Sequence, residues 1–320
     1  MTPELRHLRY FVAVADRLSF TRAAEDLRVA QQSLSQQITV LERTLGLRLF
    51  DRDTRGTRLS EAGRVFLPEA RAVLARAEEA VAVAGRVARG EIGRLRLAFL
   101  GSTTHYMLPT VVRAFRERFP EVELTTDDVG IGDLVAGLRE GRYEAAFTRP
   151  PLVGDLATRT LITEPVCAVL PAGHPLAGRA ELRLADLAGE PWVLTPRESW
   201  PPWHRKYDEE FRAAGFEPRV EQRASSVPGL LGLVAAGVGV TRLARSARTI
   251  RRTGVVFVPL AGERAETVVA WRPEPGDRVR GVPDAGGQGG GAPDVREPVL
   301  ANLLTLVTEL AASADLTQAG

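Results

Sequence analysis

Two short helical patterns meet at a three-residue break across residues 19–45, SFTRAAEDLRVAQQSLSQQITVLERTL, and no other feature limits the fold as strongly. Ala23, Ala24 and Leu27 give the first pattern a small apolar face, on which a second helix can pack closely. Thr21 stands where an N-cap would accept from the unpaired amides of a first turn. Arg28, Val29 and Ala30 form the break. In the second pattern Leu34, Ile38, Leu41 and Leu45 recur at spacings of four, three and four, which is one buried stripe. The opposite stripe reads Gln32, Ser35, Gln36, Thr39 and Arg43. Amides and hydroxyls on the exposed second limb of a helix-turn-helix are groups that hydrogen-bond base edges in a major groove. A solvated face in an ordinary helical bundle would carry the same residues.

The flanking residues favour the first reading. Leu5, Leu8, Phe11, Val12 and Ala15 predict an amphipathic helix that completes a three-helix core. Residues 47–60, LRLFDRDTRGTRLS, alternate apolar and polar around Thr54-Arg55-Gly56, a hairpin with Arg52, Arg55 and Arg58 at its tip. Such a wing would lay arginines on phosphates or in a minor groove. Residues 1–60 hold ten arginines against seven acids, so the placement of charge matters more than its total.

From Phe11 to Gly63 the chain reads FxxVAxxxSFTxAAxxLxVxQxSLSxQIxxLExxLGxxLFxRxxRxxxLxxAG. This resembles the winged helix-turn-helix of LysR-type transcriptional regulators, and a looser likeness runs to about residue 272. The resemblance implies duplex-DNA contacts by Gln31, Gln32, Ser35 and Gln36 and by Arg55 of the wing; Thr21, Ser33 and Arg52 complete the candidate set. It also implies Ser, Pro and a basic residue where this chain has Ala30, Gln32 and Gln36. Glutamine in place of a cation at 36 weakens the salt-dependent phosphate attraction.

Residues 61–90 predict a long linker helix. Phe66, Ala70, Val73, Ala77, Ala80, Ala84 and Val87 recur at alternating spacings of four and three, a heptad seam with charged residues outside it. Ser60 is its expected N-cap, and Pro68 is expected to kink or tighten the second turn. The seam fits a homodimer, or a dimer of dimers; the alternative is a single helix packed on its own domain. In a dimer, two recognition helices meet half-sites about one helical turn apart.

Beyond Gly90 the pattern becomes α/β. Strands near residues 95–99, 122–125 and 143–148 alternate with helices ending near Phe119 and Arg139, the mark of a parallel sheet covered by helices. Arg149-Pro150-Pro151 reads as a stiff crossing. A second set follows: strands at 166–170, 192–194, 219–223 and 255–259, helices at 205–214 and 227–236, and a returning strand at 267–271. The expected organisation is a winged helix-turn-helix at 1–60, a linker at 61–90, a first effector lobe at 91–149 with 265–320, and a second lobe at 150–264. The two-lobed part resembles solute-binding proteins. Seven glycines between 276 and 291 mark residues 276–297 as a flexible tether, and Val299, Leu300, Leu303, Leu304, Leu306, Val307 and Leu310 as a closing helix.

In open α/β sheets ligands sit beyond the carboxyl ends of strands, against helix N-termini. Ser102 and Thr103 fall there, suited to a carboxylate or to simple N-capping. Thr148 and Arg149 lie at the crossing, where Arg149 could offer a two-pronged fork to an anion. Thr195, Arg197, Ser225 and Ser226 converge from the second lobe. Ser102 and Thr103 resemble the anchor of family members that respond to small aromatic-derived or dicarboxylic acids; Gly130 and Ile131 replace a pair of threonines common there, and Arg242 replaces an apolar residue. Trp200 and Trp203 either stack on a flat effector or cover the second lobe.

The remaining signals exclude more than they assign. Cys167, the sole cysteine, rules out an internal disulfide and an all-cysteine metal site, and its apolar setting reads as a buried inert thiol. His7, His105, His174 and His204 lack metal-ligand spacing, and no nucleophile elbow, phosphate loop or zinc helix is found, so neither metal, cofactor nor catalytic residue is expected. With no secretory signal and no long apolar run, a cytoplasmic protein without a membrane partner is expected. The functional expectation is a sequence-specific DNA-binding regulator controlled by a small, carboxylate-bearing effector. The alternative is a solute-binding receptor without catalytic activity, which leaves residues 1–90 unexplained.

Overall fold

A computed structural model describes residues 2–53, 56–273, 297–313 and Leu316. The chain divides into two compact units, Met1–Arg86 and Val87–Gly320.

The first unit is built from α1 (Leu5–Arg17), α2 (Phe20–Leu27) and α3 (Gln31–Leu45), a hairpin of β1 (Phe50–Asp53) and β2 (Gly56–Leu59), and most of α4 (Glu61–Ala88). Phe11, Val14, Ala23, Leu34, Ile38, Leu41 and Leu49 are fully buried at its centre. The α1 stripe is turned from the expected one: Leu5 is exposed, Val12 half-buried, and Val14 and His7 take the inner places. Ser19, not Thr21, caps α2, accepting from the Arg22 amide at 3.4 Å. One residue separates these two positions, and the chain bends at Leu18, whose φ of 48° closes α1. Arg28 closes α2 in the same left-handed conformation, φ 54°, its amide returned to the Ala24 and Glu25 carbonyls. That strained residue sets the tight angle between α2 and α3.

The wing is fixed from α3. Glu42 Oε1 accepts from the amides of Leu49 (2.8 Å) and Phe50 (3.2 Å). A Cβ on Gly63 would stand 2.1 Å from the Leu49 carbonyl oxygen, so only glycine lets the first turn of α4 cross the wing this closely. Ser60 caps α4 as expected, accepting from the Gly63 amide at 3.0 Å. The helix runs unbroken through Pro68. Phe66 and Ala70 pack on the helix-turn-helix core, while Val73, Ala80 and Ala84 are exposed and Ala77 is half-buried.

In the second unit a six-stranded sheet has the order β4-β3-β5-β10-β6-β9. Its strands are β3 (Ile92–Leu100), β4 (Glu121–Val129), β5 (Ala145–Thr148), β6 (Ala157–Pro171), β9 (Thr241–Ala244) and β10 (Val255–Trp271). β3 pairs in parallel with β4 and β5, as the alternation of strands and helices predicts. Side chains leave β3 to alternate faces. Leu95, Leu97 and Phe99 join α5 (Gly101–Arg118) and α9 (Glu297–Ala312) in one cluster, and Ala98 and Leu100 join α6 (Ile131–Arg139) in the other.

Two expected strands, 255–259 and 267–271, are ends of one strand, β10, which pairs antiparallel along β6 with a shift between Pro259 and Arg264. The expected strand 166–170 is likewise the far end of β6. Polar, charged residues at the start of β6 (Thr158–Thr160) and in the middle of β10 (Glu263–Glu266) hid the continuity, because an exposed or half-buried stretch lacks the apolar alternation of a strand. Leu152, Leu156, Leu161 and Ile162 pack with the first-lobe clusters, whereas Val166, Ala168 and Leu170 meet Trp192 and Phe211 of the second. The second lobe adds β7 (Pro191–Leu194) parallel to β8 (Arg219–Arg223), with α7 (Pro201–Ala213) and α8 (Val227–Ala235). Val299, Leu303, Leu306 and Val307 of α9 are buried on the first-lobe core, and Asn302 Nδ2 donates to the carbonyls of Arg89 (2.9 Å) and Gly90 (3.2 Å). The expected tether at 276–297 lies outside the described residues save for the helix start at Glu297.

Candidate functional sites

On α3 the sequence pattern places Gln31, Gln32, Ser33 and Gln36 on exposed backbone turns, with Ser35 half-buried between them. Thr21 Oγ1 donates to Gln31 Oε1 at 3.1 Å, so the residue expected to cap α2 instead orients the first side chain of α3. Thr39 is exposed, and its hydroxyl donates to the Ser35 carbonyl of its own helix at 3.0 Å. Gln37 is also engaged. The Glu4 amide donates to His7 Nδ1 (3.3 Å), which leaves His7 Nε2 to donate to Gln37 Oε1 at 2.9 Å. His7 thus locks α1 to α3, a role with no sequence signal. Arg58 is exposed on β2; the side chain of Arg52 and the whole of Arg55 lie outside the described residues.

In the second unit a cavity of about 490 Å³ opens beyond the carboxyl ends of β3 and β4. Five of the eight expected effector residues line it: Ser102, Arg149, Thr195, Ser225 and Ser226. Ser102 Oγ is buried on this wall without a partner. Ser226 caps α8, accepting from the Gly229 amide at 3.2 Å. The other three do not reach the wall. Thr103 Oγ1 is within hydrogen-bond distance of the Leu100 (2.8 Å) and Phe147 (2.9 Å) carbonyls, so its hydroxyl joins α5 to the sheet. Thr148 is fully buried behind the lining. Arg197 forks onto Asp208 at 2.8 and 2.9 Å, outside the cavity. A partner eleven residues away on the next helix took the charge that the sequence leaves unassigned.

Arg149 lines the cavity, but its fork is turned into the protein. Nη2 reaches Tyr106 Oη, Glu164 Oε1 and Ser246 Oγ, each at 3.3 Å. Glu164 also accepts from the Ser246 amide (2.5 Å) and hydroxyl (2.8 Å). Tyr106 Oη and Thr267 Oγ1 are 2.5 Å apart, and burial pushes the Tyr106 phenol up against the opposing pull of Arg149. These residues, from five separated segments, form one buried polar knot at the crossing of the lobes.

A second charged cluster was also missed. Arg242, the residue unusual for the family resemblance, is buried and paired with Glu210 and Glu263, each at 2.7 Å. Its guanidinium lies 5.2 Å from the Tyr207 ring centre. Lys206 lines the same cavity with its Nζ 3.9 Å from Glu210. The two tryptophans donate to the hinge, Trp200 to the Pro151 carbonyl (2.8 Å) and Trp203 to that of Arg149 (3.2 Å), and pack with a first-lobe cluster rather than covering the second lobe. Trp203 also lines the cavity. Cys167 is buried, which raises its thiol above the ordinary range. Among the described residues no group of His, Cys, Asp and Glu is arranged to hold a metal ion, and no helix is long and apolar enough to cross a membrane.

Residues 5–64 match the family described as "Bacterial regulatory helix-turn-helix protein, lysR family", and residues 88–279 match "LysR substrate binding domain". The chain belongs to the LysR family. The HTH-type transcriptional regulator AlsR of Bacillus subtilis (strain 168) is 35% identical over 272 residues, 84% of this chain and 90% of that one. The crystal structure of CbnR, a LysR family transcriptional regulator, superposes with a TM-score of 0.73 at 26% identity, covering 95% of this chain and 99% of that one. Full-length CbnR complexed with target DNA gives 0.71 at 26% identity, covering 96% and 99%. The LysR relatives are transcriptional regulators, not enzymes, and this chain has their two-part construction of helix-turn-helix and effector-binding domain.

Proposed function

We propose that this LysR-family regulator reads a two-fold-symmetric DNA duplex as a homodimer and that a small carboxylate-bearing effector in the cavity controls its action. The observation that carries the reading is the exposed start of α3, where Gln31, Gln32, Ser33 and Gln36 stand without an acid among them. Similarity to CbnR in complex with its target DNA supports that orientation of the helix. Gln32 and Gln36 are suited to adenine edges and Ser35 to either base, while the wing arginines Arg52, Arg55 and Arg58 would position the unit on phosphates. Apolar Val73 and the small residues Ala77, Ala80 and Ala84 beyond the packed part of α4 support a helix-to-helix dimer contact. Duplex DNA as partner puts the working compartment in the cytoplasm. Within the cavity Ser102, Thr195, Ser225 and Ser226 are the proposed contacts, with Arg149 fixing the lobes rather than clasping the ligand.

An effector shifts the lobes only by its differential affinity for their arrangements. Selection from a random duplex pool at fixed salt, followed by footprinting, tests the reading. The expected product is a symmetric site with half-sites about one turn apart; a flat pool bound only through salt-sensitive attraction would overturn it. Ser102→Ala should leave the footprint intact and weaken the effector response, and loss of both together would show misfolding.

A further inference from the structure

One carboxylate on the cavity wall stands against the expectation of a purely anionic ligand. Asp128 is the penultimate residue of β4 and lines the cavity. Its Oδ1 lies 3.3 Å from the point that a Cβ on Gly101, the first residue of α5, would occupy. It is exposed, and no hydrogen bond or ion pair joins its carboxylate to another described residue. Beside it are the buried, unpartnered Ser102 Oγ and the first turn of an 18-residue helix whose N-cap, Leu100, offers no side-chain acceptor. The amides of such a turn and the helix dipole favour an anionic group. A bare carboxylate next to them repels a lone carboxylate and attracts a cation.

Resting on the effector reading above, we propose that the cavity takes an α-amino acid in its zwitterionic form. The α-carboxylate accepts from Ser102 Oγ and the first-turn amides of α5, and the α-ammonium donates to Asp128. The two groups sit on one carbon, as the donor patch and the acceptor sit on one wall. Of the three arginines that line the cavity, Arg149 and Arg242 are held by Glu164, Glu210 and Glu263, while Arg264 is exposed on the wall. Trp203, Val227 and Leu230 supply apolar area on a wall that also carries Thr195, Ser225 and Ser226, and that apolar area favours an apolar side chain.

The test is calorimetric titration of the full-length protein with L-valine, L-leucine, L-isoleucine, L-phenylalanine and L-tryptophan, each beside its des-amino acid and its decarboxylated amine. At least one amino acid should bind, with both truncated partners weaker by about tenfold or more. Asp128→Asn, an exposed change that spares the fold, should weaken the amino acid by a similar factor and leave the des-amino acid unchanged or tighter. Ser102→Ala should weaken amino acid and des-amino acid together. A des-amino acid that binds as tightly as its parent, indifferent to Asp128→Asn, would overturn the zwitterion and keep an anionic effector. Silence from every compound of all three series, with the fold intact by circular dichroism, would overturn the amino-acid reading and leave the carboxylate effector to the Ser102→Ala test above.

Discussion

The outward face of α3 and the wall of the cavity are both polar, and they handle polarity in opposite ways. On α3 the amides of Gln32 and Gln36 stand on exposed turns, while Gln31 bonds to Thr21, Thr39 to its own helix backbone and Gln37 to His7. In the cavity the strongest charges are paired with one another: Arg242 with Glu210 and Glu263, and Arg149 with Glu164. A surface that binds a polymer in water keeps its groups solvated until contact, at little cost to stability. A wall with little access to water must neutralise its own charges, and only groups left over remain for a ligand.

That contrast gives its largest effect at Arg242. Arg242→Ala strands Glu263 and leaves Glu210 only Lys206 in a partly buried site, and should cost about 3 kcal/mol or more, read as a shift in urea midpoint with unchanged slope. A loss below about 1 kcal/mol would mean the charges are solvated, like those of a surface pair. Next comes Glu42, a polar residue of the first unit that is spent on structure. Glu42→Ala leaves the Leu49 and Phe50 amides without their acceptor and should cost about 2 kcal/mol of stability. DNA affinity should fall with it, because the wing loses its anchor.

Gln36 should behave in the opposite sense. Gln36→Ala should change stability by no more than about 0.5 kcal/mol and lower the preference for the selected duplex by about 1–2 kcal/mol. Gln36→Lys should tighten binding to any duplex and steepen the salt dependence by about 0.9 per subunit in log–log slope. If Gln36→Ala unfolds the protein instead, the division between the two surfaces fails.

The smallest effect is a pH dependence. His204 is buried, which holds its ring below the ordinary histidine range; Arg223 and Arg197 add to this and the Pro196 carbonyl opposes it. The folded state therefore keeps the ring neutral where the unfolded chain takes a proton. This contribution is intact above the unfolded value of about 6.5 and is lost as pH falls below it, toward the lower folded value. His204→Gln should flatten the fall in stability between about pH 7 and pH 5. An unchanged slope would assign the acid sensitivity elsewhere.

Residue spacing alone determined the helix-turn-helix, the exposed polar face of α3, the parallel β-α-β half and the closing helix, because each depends on contacts within a few turns of one element. Leu34, Ile38 and Leu41 had to share a face whatever packed against them, which left Gln32 and Gln36 outside. Tertiary structure decided what long-range pairing controls. It joined two apparent strands into β10, gave Thr103 to the sheet and Arg197 to Asp208, and closed Arg149 on Glu164. It also left Asp128 bare beside the first turn of α5. A charge in a sequence carries its sign but not its partner, and the partner decides whether it holds the fold or meets a ligand.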